Sequence, residues 1–395
     1  MPDEQVDTLE TLAPVNLIDT GSNFDSGDAA QPGIALCLSG GGYRAMLFHL
    51  GALKRLNEWG YLKKLNRVSS VSGGSITAGI VGLKWSRLGF DANGIAQAFD
   101  TEVIAPIRAL ADKTIDEGSV IGGIFLPGSI AERVCEAYRK HLFGAATLQD
   151  LPAEPAPRFV INATNVQSGA LWRFSRPFMA DYRVGVIRNP TIDLAIAVAA
   201  SSAFPPVLSP LKMELDATLY EPPSGQASED LHHGSFMTDV VLTDGGVYDN
   251  LGLETAWKAY QTILVSDGGG KLQADEEPKT DWAQHSLRVN GIIDNQVRSL
   301  RKRLLMKSFE KLRKGTYWGV RSDMAKYLVD GGLPCPEEKT LILANTKTRL
   351  KRIDALTQER LINWGYAICD AAMRKWVDVT LTKPTTFPYA NSGIG

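Results

Sequence analysis

Two short stretches of this chain obey the same grammar, and that repetition constrains the fold more than any other feature. Gly33-Ile34-Ala35-Leu36-Cys37-Leu38 is a compact apolar run ending in Ser39-Gly40-Gly41-Gly42. Apolar residues then recur at helical spacing from Arg44 to Trp59, closed by Gly60. Arg67-Val68-Ser69-Ser70-Val71 leads in the same way into Ser72-Gly73-Gly74 and a helical stretch from Ser75 to about Leu83. Strand, glycine turn and helix, repeated in succession, favour strands lying parallel in one sheet with helices packed over it.

The pattern continues downstream. Phe159 to Ala163 reads as a strand, and the alanine-rich Ile192 to Ala200 as a buried helix ending near Phe204-Pro205-Pro206. Phe236 to Thr243 leads into Asp244-Gly245-Gly246, and Thr262 to Ser266 into Asp267-Gly268-Gly269-Gly270, two strand ends followed by glycine turns. Residues 1–31 carry Asp3, Glu4, Asp7, Glu10, Asp19, Asp25 and Asp28 with no basic residue, which predicts a flexible acidic leader. Residues 216–234 are polar and irregular, as a surface insertion is. Long helical patterns are expected at about 281–314 and 355–377, around a short strand at Leu341 to Ala344. With no repeat and no clean linker, residues 32–395 are expected to form a single α/β domain.

Charge narrows the function. The 42 Lys and Arg against 44 Asp and Glu leave a formal charge of -2, so no nucleic-acid partner is expected. Cys37, Cys135, Cys335 and Cys369 lie far apart without a C-x-x-C pair, which argues against a zinc site or a dense disulfide framework. No secretory signal or transmembrane run is readable, and a cytoplasmic location is expected. Nothing in the sequence specifies an oligomeric state.

A serine hydroxyl needs a base to take its proton and fixed N–H donors where the attacked carbonyl oxygen becomes negative. Ser72, in Ser70-Val71-Ser72-Gly73-Gly74, stands in a variant of the G-x-S-x-G elbow, with small neighbours permitting a sharp strand-to-helix turn. Gly40, Gly41 and Gly42 occupy the other such turn, where backbone amides and the positive end of a helix can face an oxyanion or a phosphate. Arg44 in the following turn suits a phosphate head group or an ordinary salt bridge. None of His49, His141, His232, His233 and His285 sits in a glycine turn after a strand, so the base falls to an aspartate. Asp244 and Asp267 stand in nearly the same setting, and chain pattern alone does not separate them. Gly268-Gly269-Gly270-Lys271 lacks the spacing of a nucleotide-binding P-loop.

Taken together, Ser39 to Ala45 (SGGGYRA), Ser70 to Ser75 (SVSGGS) and Asp244 to Gly246 (DGG) resemble the patatin-like phospholipase family, related to the cytosolic phospholipases. Asn162-Ala163-Thr164 and Ala200 to Pro205 also resemble family segments, so the likeness covers roughly residues 33–270. Ser39 replaces an aspartate and Ser70 a glycine common in patatins. The resemblance implies a three-layer α/β/α fold with a central, mostly parallel sheet and a helical C-terminal part. It implies a Ser72–Asp244 dyad, with Asp244 rather than Asp267 as the base, an oxyanion hole at Gly40, Gly41 and Gly42, and substrate phosphate held near Arg44. It further implies no metal or organic cofactor, and release of fatty acid from phospholipid or lysophospholipid. A lipid- or phosphate-binding protein without turnover and a lipid acyltransferase are the rival readings. The segment 298–314 interleaves eight basic residues with Leu300, Leu304, Leu305, Phe309 and Leu312, suiting either peripheral contact with a membrane or a solvated basic face.

Overall fold

The computed structural model of the chain describes residues 30–116, 129–223 and 231–395. Most of the predicted acidic leader and the middle of the predicted insertion lie outside the described residues. Strand β1 (Gln31–Leu38) leads to helix α1 (Gly42–Glu58), and β2 (Arg67–Val71) to α2 (Gly73–Lys84). Helices α3 (Ala105–Ala111) and α4 (Ser129–Tyr138) precede β3 (Arg158–Asn165), β4 (Leu171–Phe174), β5 (Phe178–Asp181) and β6 (Gly185–Arg188). Then come α5 (Leu194–Ser201), β7 (Leu211–Glu214), β8 (Tyr220–Glu221), α6 (Ser235–Thr238), β9 (Asp239–Asp244), α7 (Gly246–Asp249) and α8 (Glu254–Trp257). The chain finishes with β10 (Tyr260–Asp267), α9 (Trp282–Lys311), β11 (Lys314–Gly319), α10 (Glu337–Ala344) and α11 (Ala355–Trp376).

The expected parallel block is present: β11, β10, β1, β2 and β3 lie side by side and pair in parallel. Beyond it the sheet continues through antiparallel β4, β5, β6 and β8, while β9 joins β3 antiparallel and carries β7. Strand β1 shows why a short apolar run becomes a central strand. Leu36 and Leu38 enter the larger core under α1, α2, α5 and α11, whereas Ala35 and Cys37 face the smaller core with Ala256 of α8 and Leu305 of α9. A strand buried on both faces has no room for alternating polar residues. Helices on both faces make three layers.

The C-terminal α11 is tied into this core by charge as well as packing. Asp370 accepts from Arg55 of α1 at 2.8 Å and from Arg374 at 2.7 Å, all three side chains being buried. Removing either arginine would leave a buried carboxylate with half its neutralisation.

Three expectations are corrected. The strand expected from Phe236 starts at Asp239, because Phe236 to Thr238 belong to the short helix α6. Leu341 to Ala344 is the second half of α10, not a strand. A four-residue apolar run reads alike in either state, and the deciding signal lies upstream, where Pro336 precedes Glu337 and Glu338 in the first turn, a combination that starts helices. The helical pattern expected to reach 314 stops at Lys311, and Lys314–Gly319 forms edge strand β11. Thr316, Tyr317 and Trp318 prefer a pleated surface; the run of basic residues before them hid the change of period. Among the described residues, no helix is long and apolar enough to cross a membrane.

Candidate active site

Four strand-end turns meet at one end of the sheet. The turn after β2 holds Ser72 at φ 52° and ψ -120°, outside the ordinary regions for a residue with a side chain. Two features hold it there. The Ser72 N–H donates to Ser201 Oγ at 2.9 Å, and Ser201 in turn donates to the Asn162 carbonyl at 2.6 Å. Gly73 meets the neighbouring glycine turn so closely that a Cβ there would lie 2.2 Å from the Gly42 carbonyl oxygen.

Asp244 ends β9, and β9 is clamped against the same framework. The Asp244 N–H donates to the Ala203 carbonyl at 2.9 Å, and its carbonyl accepts from Thr164 Oγ1 at 2.9 Å. Its side chain is 1% exposed; Oδ1 accepts the Gly246 N–H at 2.7 Å. Burial pushes the carboxyl up to about 7, against the Gly246 amide and the Ser72 hydroxyl, both of which oppose the rise. Ser72 is thus within electrostatic reach. Yet Oδ2 has no directed hydrogen-bond partner among the described residues, so the two side chains are neighbours without a formed bond. Catalytic hydrogen bonds are often misaligned in unliganded sites.

The turn after β1 brings backbone amides to the same place. Gly40 spends its amide on the Asn250 carbonyl at 3.0 Å, which leaves the Gly41 and Gly42 amides, without an acceptor among the described residues, at the start of α1. Gly41 sits at φ 148°, and a Cβ there would lie 2.7 Å from the Gly268 carbonyl oxygen, so this bend is open only to glycine.

All these groups border one cavity of about 870 Å³. Ser72, Asp244, Gly40, Gly41 and Gly42 line it together, opposite an apolar wall from Phe204 to Leu208. Gly291, Asp294 and Arg298 of α9 close another side. Such a space, mostly apolar with a few convergent polar groups, is the usual form of a small-molecule site.

Arg44 is placed elsewhere. It does not line the cavity; it is 3% exposed, with Nε donating to the Gly268 carbonyl at 3.0 Å and Nη1 to the Thr346 carbonyl at 2.6 Å. Burial, with Arg321 and Arg298 nearby, lowers it to about 10. The side chain braces the loops behind the glycine turn. Arg298 and Lys271 are the cations that reach the cavity from the loop and helix after β10.

Asp267 is also placed apart. Burial alone would raise its carboxyl, but the ion pair with Lys302, the Tyr317 hydroxyl at 2.7 Å and the Gly269 amide at 2.8 Å hold it well below the usual carboxylate range. His49 packs inside α1, with Nε2 on the Ser39 carbonyl and Nδ1 on Ser266 Oγ, and burial lowers it to about 4. A carbonyl can only accept, so Nε2 carries the proton. Three residues that hold the site, Asn162, Ser201 and Asn250, were given no role from the sequence. The first two lie in segments that resemble the family, and that was the available signal. Among the described residues, no cluster of three metal-ligating side chains occurs.

A family model described as patatin-like phospholipase matches residues 36–257, more than half of the chain. No curated protein matches the sequence. Among solved structures, the chain is similar to human GIVD cytosolic phospholipase A2, at 13% identity over 64% of this chain and 50% of that one, with a TM-score of 0.38. It is also similar to that enzyme in complex with methyl gamma-linolenyl fluorophosphonate, at 12% identity over 86% and 57%, TM-score 0.46. A third likeness is to VipD from Legionella pneumophila, at 15% identity over 87% and 66%, TM-score 0.32. The chain thus spans about half the length of the first of these.

Proposed function

Because this chain belongs to the patatin-like phospholipase family, we propose that it is a serine acyl hydrolase that releases fatty acid from phospholipid or lysophospholipid through Ser72 and Asp244. The observation that carries the reading is the pairing of a strained serine with a desolvated, unpartnered carboxylate oxygen in one apolar-walled cavity. A carboxyl held up to about 7 is a far better proton acceptor than an ordinary aspartate and is still ionised in part at neutral pH.

In the first step Ser72 Oγ attacks the ester carbonyl carbon while its proton passes to Asp244 Oδ2. The carbonyl oxygen takes the negative charge and is met by the Gly41 and Gly42 amides, each such donor being worth about 3 kcal/mol in comparable sites. Collapse of the intermediate breaks the ester bond, and the leaving alcohol takes the proton back from Asp244. Water then attacks the acyl-serine, giving its proton to Asp244, and as the acyl–serine bond breaks Asp244 returns that proton to Ser72 Oγ, releasing fatty acid and restoring the enzyme. The apolar wall from Phe204 to Leu208 suits the acyl chain.

The test is fatty-acid release from phospholipid vesicles and lysophospholipid micelles by the wild-type chain and by Ser72→Ala, Asp244→Asn and Asp267→Asn, each shown to be folded. Loss in the first two variants with activity kept in the third supports the dyad. An inactive wild type, or an active Ser72→Ala, overturns the reading.

A further inference from the structure

Helix α9 is built inside out. Of its thirty residues only Leu305 and Ser308 are buried. The residues that line the cavity, Gly291, Asp294 and Arg298, are polar or lack a side chain. At about 100° per residue, Trp282, Val289, Ile293, Val297, Leu300 and Leu304 fall together on the opposite side. These six are exposed, Ile293 and Leu304 at 56% and Leu300 at 51%. A surface helix of a water-soluble protein turns its apolar stripe inward; this one turns it outward over about six turns.

The charges are sorted in the same way. Arg298 is held by Asp294 at 2.7 Å and the Gly270 carbonyl, Arg301 by Glu254 at 3.3 Å, and Lys302 by Asp267, so these cations serve the protein's own contacts. Arg303, Lys307 and Lys311 extend or flank the outward stripe and have no ion-pair partner among the described residues. Glu310 is the one acidic residue of α9 on the outer side. An apolar stripe continued by free cations complements an anionic lipid layer. A second copy of the chain would bring the same cations against one another.

We propose that the outward face of α9, Val289 to Lys311, seats this protein on an anionic lipid surface, and that the cavity walled by its inner face is thereby held beside the lipid. The proposal deepens the phospholipase reading and rests on it only for what the cavity then does. Phe204 and Val207, exposed at another wall of the same cavity, add apolar surface near its mouth.

The experiment uses the full chain in a Ser72→Ala background, so that lipid is not consumed. Co-sedimentation is measured with phosphatidylcholine vesicles and with vesicles containing about a third phosphatidylglycerol. Two triple variants are compared: Ile293→Ser with Leu300→Ser and Leu304→Ser, and Arg303→Gln with Lys307→Gln and Lys311→Gln. The expected result is tight binding to the anionic vesicles only, weakened at least about tenfold by each triple. With Ser72 intact, both triples keep wild-type hydrolysis of a short soluble ester, and that same measurement shows they are folded. Unchanged vesicle binding in either triple, equal binding to neutral vesicles, or a wild-type dimer that the serine triple dissociates in sedimentation overturns the proposal. A wild type that hydrolyses nothing yet binds through α9 would sink the enzymatic reading and leave this one standing.

Discussion

Asp244 and Asp267 end β9 and β10, consecutive strands of the chain that β1, β2 and β3 separate in the sheet, each before a run of glycine, yet the fold gives the two carboxyl groups opposite surroundings. Both are buried, at 1% and 3% exposure, so desolvation presses on both. What differs is the company. Asp267 has an ammonium, a phenol and an amide on its two oxygens, and its charge is fully answered. Asp244 has one amide on Oδ1 and nothing directed at Oδ2. A carboxylate whose hydrogen-bonding capacity is filled is held as an anion; one left half-filled by burial is the better candidate for a proton acceptor.

The largest effect that can break this comparison is on turnover. Asp244→Asn should lower the rate of ester hydrolysis by roughly 10² to 10⁴, the usual worth of a positioned general base, while Asp267→Asn stays within about tenfold of wild type. In the wild type, activity should rise with pH through about 7 as Asp244 ionises, and kcat/KM profiles would show this. A profile centred near 4, or equal losses in the two variants, would mean that the aspartates are not divided as the geometry divides them.

Stability should separate them next, with opposite signs. Asp244 has its folded pKa above the unfolded value of 3.8, so the folded state holds the proton longer. Stability on its account is complete below about pH 4 and is lost as pH rises through about 7, by up to about 4 kcal/mol. Asp244→Asn removes that loss and should be the more stable protein above pH 7. Asp267 has its folded pKa below the unfolded value, so its contribution is present above about pH 4 and fades as pH falls below it. Asp267→Asn should lose roughly 2 kcal/mol at neutral pH, less than a fully buried pair would because Lys302 is 37% exposed and can find water. Urea unfolding followed by circular dichroism at pH 3, pH 5 and pH 8 reads both signs, the Asp267 change between the first two and the Asp244 change between the last two.

Much of this was legible in the sequence, and the reason is local. A glycine triplet after an apolar strand is a strong constraint on the backbone, so Gly40 to Gly42 and Ser72 could be put at strand-to-helix turns from spacing alone, and α1 and α2 followed. The two aspartates could not be separated in that way, because the side chains that distinguish them, Lys302 and Tyr317 on Asp267 and Ser72 beside Asp244, come from elements far away in the chain. Arg44 was hard to place for the same reason: its position beside the glycine loop suits a phosphate, but its partners are the carbonyls of 268 in the turn after β10, 344 at the end of α10 and 346 just beyond, all more than two hundred residues away in the chain. The apolar face of α9 was half visible, since the basic run drew attention to 298–314 and away from Val289, Ile293 and Val297 just before it. Direction of burial is a property of the assembled fold, and periodicity reports only that a stripe exists.

The smallest effect concerns where strain is kept. Ser72 adopts a positive φ with a Cβ attached, whereas none of Gly268, Gly269 and Gly270 beside Asp267 has a positive φ. The turn facing the unpartnered carboxylate is therefore the strained one, held by the hydrogen bond to Ser201. Ser72→Ala and Ser72→Gly both remove the proposed nucleophile, so activity cannot tell them apart. Stability can. Alanine keeps the Cβ and hence the strain; glycine relieves about twice what its extra freedom in the unfolded chain costs, for a net gain of about 1 kcal/mol over alanine. A higher urea midpoint for Ser72→Gly than for Ser72→Ala is the expected result. The reverse order would mean that the elbow is relaxed, and that Ser72 is exposed to substrate by the shape of the cavity without any strain in its own backbone.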